Sequence, residues 1–160
     1  MKFFLFIMML IFSLTGSALL PVIRLEIKSM DETTGKGLAG TVVEIRSNGE
    51  LVSSGISGPN GSLESIDLPI NQIYMVYFKN NGYVTKVAEI DANCDRPSDL
   101  PKSTVVMMQV TLFKEVAGID LKFLEETPII IYKFDNKGWM TFDRKYTETM
   151  MAKVEGIRKG

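Results

Sequence analysis

An all-β sandwich closed by a C-terminal hairpin and a short helix is the fold class that the sequence predicts. Three observations predict it. Apolar and polar residues alternate with period two in one run after another. Turn signals built on Asn, Gly and Pro separate these runs at short intervals. No stretch before residue 113 has helical period.

Residues 22–28 set the pattern. Ile23, Leu25 and Ile27 share one face, and Arg24, Glu26 and Lys28 share the other, which is the signature of a half-buried strand. The polar, glycine-bearing run 31–37 is a loop. In 41–46, Val43 and Ile45 point one way and Glu44 and Arg46 the other. Asn48-Gly49 is a hairpin turn, so 51–57 returns as the next strand. Gly58-Pro59-Asn60-Gly61 is a second turn. The strand over 62–68 breaks parity, because Leu63, Ile66 and Leu68 cannot share a face, and a bulge between Leu63 and Ile66 is expected. Tyr74, Val76 and Phe78 alternate with Met75, Tyr77 and Lys79; Asn80-Asn81-Gly82 turns the chain; 83–90 pairs back. After a loop over 91–104, Val106, Met108, Val110 and Leu112 form the last strand of the set. About seven strands within roughly 90 residues indicate a sandwich or barrel.

The tail reads differently. Residues 128–134 and 139–142 flank Asp135-Asn136-Lys137-Gly138 as a hairpin. Asp143 is placed to cap a helix, along which Tyr146, Met150, Val154 and Ile157 form one apolar stripe. That stripe is read as covering an open end or edge of the sandwich, with a partner-binding helix as the other reading.

The N-terminus carries an address. Lys2, an apolar run over 3–12 and the small residues Thr15-Gly16-Ser17-Ala18 form a secretory signal pattern, cleaved between Ala18 and Leu19. The rival is an uncleaved anchor, since the uncharged stretch over 3–23 is long enough to span a bilayer. No cysteine lies near the site, so no lipid anchor is expected. The organisation is then a signal peptide over 1–18, a sandwich over 19–113 and an extension over 114–160. The expected location is the periplasm or the cell exterior, or the membrane if the segment stays attached.

Composition excludes several functions. A net charge of −1, with the cations scattered, gives no footprint for nucleic acid. Histidine is absent, which removes the commonest general base and metal ligand. The single cysteine, Cys94, cannot form an internal disulfide and reads as a half-buried loop thiol. Asp91-Ala92-Asn93-Cys94-Asp95 has the oxygen spacing of a calcium loop, but Arg96 replaces the sixth-position glycine and Lys102 the twelfth-position glutamate. It reads as Asx turns. The strand serines Ser53, Ser54 and Ser57 have no base in sequence reach.

The run Thr34-Gly35-Lys36-Gly37-Leu38-Ala39-Gly40-Thr41-Val42-Val43-Glu44-Ile45 resembles the opening of carboxypeptidase regulatory-like domains. Gly58-Pro59-Asn60-Gly61-Ser62-Leu63, then Tyr74-Met75-Val76-Tyr77-Phe78 and Asn81-Gly82-Tyr83, continue the likeness in the family's order over about residues 22–113. The resemblance implies a seven-stranded, prealbumin-like sandwich, and Tyr83 would start a strand with its ring closing the core. The tail, with Pro128-Ile129-Ile130-Ile131-Tyr132 and Phe142-Asp143-Arg144-Lys145-Tyr146, is similar to an extension in exported proteins of Bacteroidota. Such modules are non-catalytic and serve binding, adhesion or support.

That fold also hosts hydroxyisourate hydrolases, but the missing histidines and the ending Ile157-Arg158-Lys159-Gly160 do not fit them. Adhesin relatives sometimes carry a Lys–Asn crosslink. Here Lys28 faces outward with Arg24 and Glu26, and the last sandwich strand has no Asn or Asp. The expected function is therefore a non-enzymatic, cofactor-free module that meets an envelope protein through strand edges or loops. The alternative is a carbohydrate-binding module using Trp139, Phe142 and Tyr146 as a stacking platform. The plainer reading of those aromatics is packing of the hairpin onto the sandwich.

Overall fold

The computed structural model describes residues 20–159; the expected cleavage between Ala18 and Leu19 lies outside them. Among the described residues nine strands form two sheets: β1 (Val22–Asp31), β2 (Val42–Ser47), β3 (Glu50–Ile56), β4 (Ile66–Pro69), β5 (Ile73–Lys79), β6 (Lys86–Asp91), β7 (Ser103–Leu112), β8 (Ile131–Phe134) and β9 (Met140–Phe142). Helix α1 (Arg144–Lys159) ends the chain. One sheet has the order β4-β1-β7 and the other β3-β2-β5-β6-β8-β9. The first seven strands thus make a sandwich of three strands against four, and the tail hairpin widens the larger sheet by two.

Alternation builds the core as expected. Ile23, Leu25 and Ile27 of β1, Val43 and Ile45 of β2, Tyr74, Val76 and Phe78 of β5, and Val106, Met108 and Val110 of β7 are all buried in one cluster. β1 and β7 run parallel in unbroken register from Val22 opposite Ser103 to Asp31 opposite Leu112. Asn48 and Gly49 both take positive φ, at 51° and 83°, giving the two-residue turn that matches strand twist.

Three predicted strands start later than their patterns, β8 at Ile131 instead of residue 128 among them. β4 begins at Ile66, because the parity break expected between Leu63 and Ile66 lifts 63–65 off the sheet. Leu25 faces Ile66 and Lys28 faces Ser62, so three steps along β1 are matched by four on the other side. The extra residue is the expected bulge. β6 begins at Lys86, not at residue 83. Tyr83 instead bridges to Lys114 and donates its hydroxyl to Asp31 Oδ2 at 2.5 Å, so its polar tip closes the β1 end of the sandwich.

The tail shares the core. β8 adds to β6 in parallel, with Ile90 opposite Tyr132, and β9 returns antiparallel. Asp143 Oδ1 accepts the Tyr146 N–H at 3.0 Å and caps α1 as the sequence predicts. Met150 and Val154 are buried in the main cluster, with Tyr146 and Ile157 packed against it. The Tyr146 hydroxyl donates to Pro128 O at 2.7 Å, and Arg158 pairs with Glu32 through two bonds of 2.8 and 2.7 Å, so the helix is tied down at both ends.

Candidate functional site

The sandwich leaves two long edges unpaired among the described residues: β3 at one end of the large sheet and β7 at one end of the small one. An unpaired edge presents a row of backbone donors and acceptors, and most soluble proteins blunt it with Lys, Pro or a covering element. Neither strand holds a Lys, Arg or Pro, and Glu50 at the start of β3 is their single charge. Residues 51–63 and 103–113 are uncharged altogether.

β3 is exposed along most of its length. Its register with β2 shifts between Ile45 and Arg46, so Leu51 and Val52 together oppose Arg46 on the outer face. Ser54 and Ile56 follow on that face opposite Glu44 and Val42, while Ser53 and Gly55 point inward opposite Ile45 and Val43. The outer face therefore carries Leu51, Val52 and Ile56, the last 66% exposed, around a central serine. Glu44 beside them is neutralised locally, by Lys79 at 2.9 Å and Arg46 at 3.0 Å, and both hold its carboxyl below the usual range. An open groove of about 350 Å³ separates β3 from the bulged segment carrying Leu63, Glu64 and Ser65. The flank is thus an apolar, uncharged strand edge beside a trough.

β7 alternates strictly, so Val105 and Met107 stand on the outer face, Met107 at 76% exposure. A groove of about 480 Å³ opens there among Glu26, Lys28, Leu63, Met107 and Gln109. It exists because the bulge pulls 63–65 away from β1.

The three aromatics named from sequence are not brought into one platform. Phe142 meets Tyr132 edge-to-face, with ring centroids 6.2 Å apart. Tyr146, in the first turn of α1, is half-buried and donates its hydroxyl to Pro128 O. Trp139 is 67% exposed, so it does not pack the hairpin onto the sandwich. Trp139 stands in the turn before β9, whereas Phe142 ends that strand. Gly138, next to Trp139, lines a polar cleft of about 530 Å³ together with Asn93, Asp95, Arg96, Asp99 and Lys137.

Asp91 Oδ1 accepts both the backbone and side-chain N–H of Asn93, the Asx turn that the sequence predicts. Among the described residues no three Cys, Asp or Glu side chains converge as metal ligands. No helix among them is long and apolar enough to cross a membrane.

One polar group was missed by sequence reasoning. Lys86 is 5% exposed, on the inward face of β6 with Ala88 and Ile90. Its ammonium donates to Thr111 O at 2.6 Å and sits 4.4 Å from the Phe113 ring, and Arg158 lies 4.1 Å from the same ring. Burial pushes the Lys86 amine down to about 8; Glu32 opposes that and Arg158 reinforces it. The signal was available, since parity aligned Lys86 with Ala88 and Ile90.

No family model matches the chain. No curated protein does either. Among solved structures, a Bacillus anthracis TIE protein is 24% identical over 59% of this chain and 18% of its own, with a TM-score of 0.43. The group B streptococcus pilus 2b backbone protein is 16% identical over 58% and 41%, at 0.40. A Klebsiella pneumoniae 5-hydroxyisourate hydrolase is 12% identical over 58% and 99%, at 0.41. The chain matches less than half the length of the first two. Likenesses this distant assign no activity, and the two-layer β architecture rests on the strand pairing itself.

Proposed function

We propose that this protein is an exported, non-catalytic β-sandwich module of the bacterial envelope that docks a protein partner along its open strand edges. The observation that carries this reading is the pair of unblunted edges at β3 and β7, free of Lys, Arg and Pro and charged only at Glu50, with Ile56 and Met107 exposed beside them. Strand addition draws affinity from backbone bonds and specificity from the alternate side chains, which is what such an edge offers. The signal-like pattern over residues 1–18, the resemblance of residues 22–113 to carboxypeptidase regulatory-like domains, and the likeness of the tail to an extension in exported proteins of Bacteroidota support the envelope setting. The absence of histidine supports a binding role over a hydrolytic one.

The test is capture from envelope extracts by the wild-type protein and by Ile56→Lys and Met107→Lys, each with an unchanged melting temperature. A protein recovered reproducibly by wild type and lost with either edge lysine supports the reading. Equal recovery by all three sinks it.

A second reading is favoured by one observation. Trp139 stands exposed at the turn whose Gly138, Lys137 and Asn136 line the polar cleft, an arrangement suited to a neutral saccharide.

A further inference from the structure

We infer that the β3 edge pairs antiparallel with the β3 edge of a second copy, about a two-fold axis through Ser54, and joins two sandwiches into one continuous sheet. The inference rests on the strand-edge reading above and names its partner.

The register follows from the faces. In an antiparallel pair, residues directly opposite each other point to the same side. Outward residues of β3 are Leu51, Val52, Ser54 and Ile56; inward ones are Ser53 and Gly55. Setting Ser54 against Ser54 places Ser53 against Gly55, inward with inward. It also places Val52 against Ile56, outward with outward, and the two-fold axis produces each pair twice. Leu51 shares the Val52 side because of the bulge and extends the apolar contact. A one-residue slip sets outward residues against inward ones throughout the paired stretch.

Charge permits the same register. Residues 51–63 carry none, and Glu50 of each copy falls opposite Gly58 of the other, at the two ends of the seam. The neighbouring Glu44 is already engaged by Arg46 and Lys79 within its own copy. A self-complementary patch of this kind produces a closed isologous dimer, not a fibre.

β7 is the other long edge, but Lys86 occupies the Thr111 carbonyl at its far end. The remaining edge strands are too short, or contain Pro69.

The experiment is light-scattering mass across a range of concentrations, with Ser54→Cys made in a Cys94→Ser background for crosslinking. The wild-type mass is expected to double as concentration rises. Ser54→Cys is expected to link into a dimer on air oxidation, since opposed residues of an antiparallel pair lie within disulfide reach. Ile56→Lys is expected to weaken association by about tenfold or more while leaving the melting temperature unchanged at dilutions where the wild type is monomeric. A wild-type protein that stays monomeric at every concentration overturns the inference, as does a dimer indifferent to Ile56→Lys. If self-association is absent while Ile56→Lys still abolishes capture of an extract protein, self-pairing falls and the strand-edge reading stands. If both are absent, both fall.

Discussion

The Lys86 ammonium lies 4.4 Å from the centroid of the Phe113 ring and gives its one strong hydrogen bond, 2.6 Å long, to the neighbouring Thr111 carbonyl. The folded sandwich thus holds a cation in its core without a carboxylate in direct contact. Desolvation disfavours the charged form and brings the amine to about 8 from an ordinary 10.5. The unfolded chain therefore keeps its proton up to about pH 10.5, whereas the folded one releases it near 8. Between those values the unfolded state binds more protons, so this group makes stability rise with pH, and below 8 its penalty is constant. At neutral pH the penalty is at most about 3 kcal/mol, and the ring and carbonyl contacts offset part of it. Lys86→Met is expected to stabilise the protein by about 1–2 kcal/mol at pH 7. The difference from wild type should shrink toward pH 10.5. Urea midpoints of both proteins at pH 7 and pH 10 check this. A variant less stable at pH 7 would show that the ring and carbonyl contacts outweigh desolvation.

Gly61 is held against β1 so closely that a Cβ there would lie 2.1 Å from Ser29 O and 2.9 Å from Gly37 Cα, with φ at +80°. Ser29 and Leu38 bond across the same crossing, Ser29 N to Gly61 O and Leu38 N to Ser29 O, both at 2.8 Å. No side chain can move aside, because the obstacles are backbone. Gly61→Ala is expected to cost about 3 kcal/mol or more, or to prevent folding. Gly82→Ala is the control: its φ is +77° but the space around it is open. It should cost only about 1–2 kcal/mol, the ordinary penalty of left-handed backbone. Thermal melts of the two variants separate close approach from conformational preference. Equal losses would remove the steric argument.

Arg158 does two things at the end of α1. It pairs with Glu32 through both guanidinium nitrogens and lies over Phe113. The pair is partly exposed, so Arg158→Ala is expected to cost only about 1 kcal/mol. A second effect is more diagnostic. Arg158 lowers the Lys86 pKa, while Glu32 raises it. Removing Arg158 deletes a like charge and frees Glu32 to face the ammonium, so the amine should titrate above its wild-type value. Heteronuclear NMR of the Lys86 side chain reads this directly. An unmoved titration would show that the two cations do not interact.

How much of this was legible in the sequence depended on the range of the interaction. β1, β2, β5 and β7 announced their faces, because each buries one side and the period-two alternation that marks that side is written within the strand itself, even though the partner of β1, β7, is distant in sequence. Asp143 and the stripe through Met150 and Val154 were equally plain, since capping and helical period are local. Lys86 was hidden by its chemistry: a lysine reads as surface until its partners Thr111 and Phe113, distant in sequence, are placed beside it. The parallel docking of β8 on β6 was hidden by distance, as nothing in 128–134 names a strand some forty residues earlier. The aromatic group failed as a unit for a simpler reason. Its members were gathered by proximity in sequence, but they fall on three different elements: Trp139 in the turn, Phe142 at the end of β9 against Tyr132, and Tyr146 in the first turn of α1.

Trp139 supplies the last test. It is the single tryptophan, so all indole fluorescence reports on one site. At 67% exposure its emission should be red-shifted and readily quenched by iodide in the native protein. Its backbone is nevertheless fixed, since Asp135 Oδ1 accepts the Trp139 N–H at 2.9 Å and Asp135 N bonds to Trp139 O at 2.8 Å. An exposed ring on a rigid turn loses little entropy on binding, which suits stacking against a sugar face. If the polar cleft takes a saccharide, a panel of neutral oligosaccharides should contain one that blue-shifts the emission and protects it from iodide. Trp139→Ala should then abolish that binding without moving the melting temperature. Emission unchanged across the panel would leave the ring as solvent-exposed surface and return the weight to the strand edges. An indole already shielded from iodide would contradict the turn geometry itself.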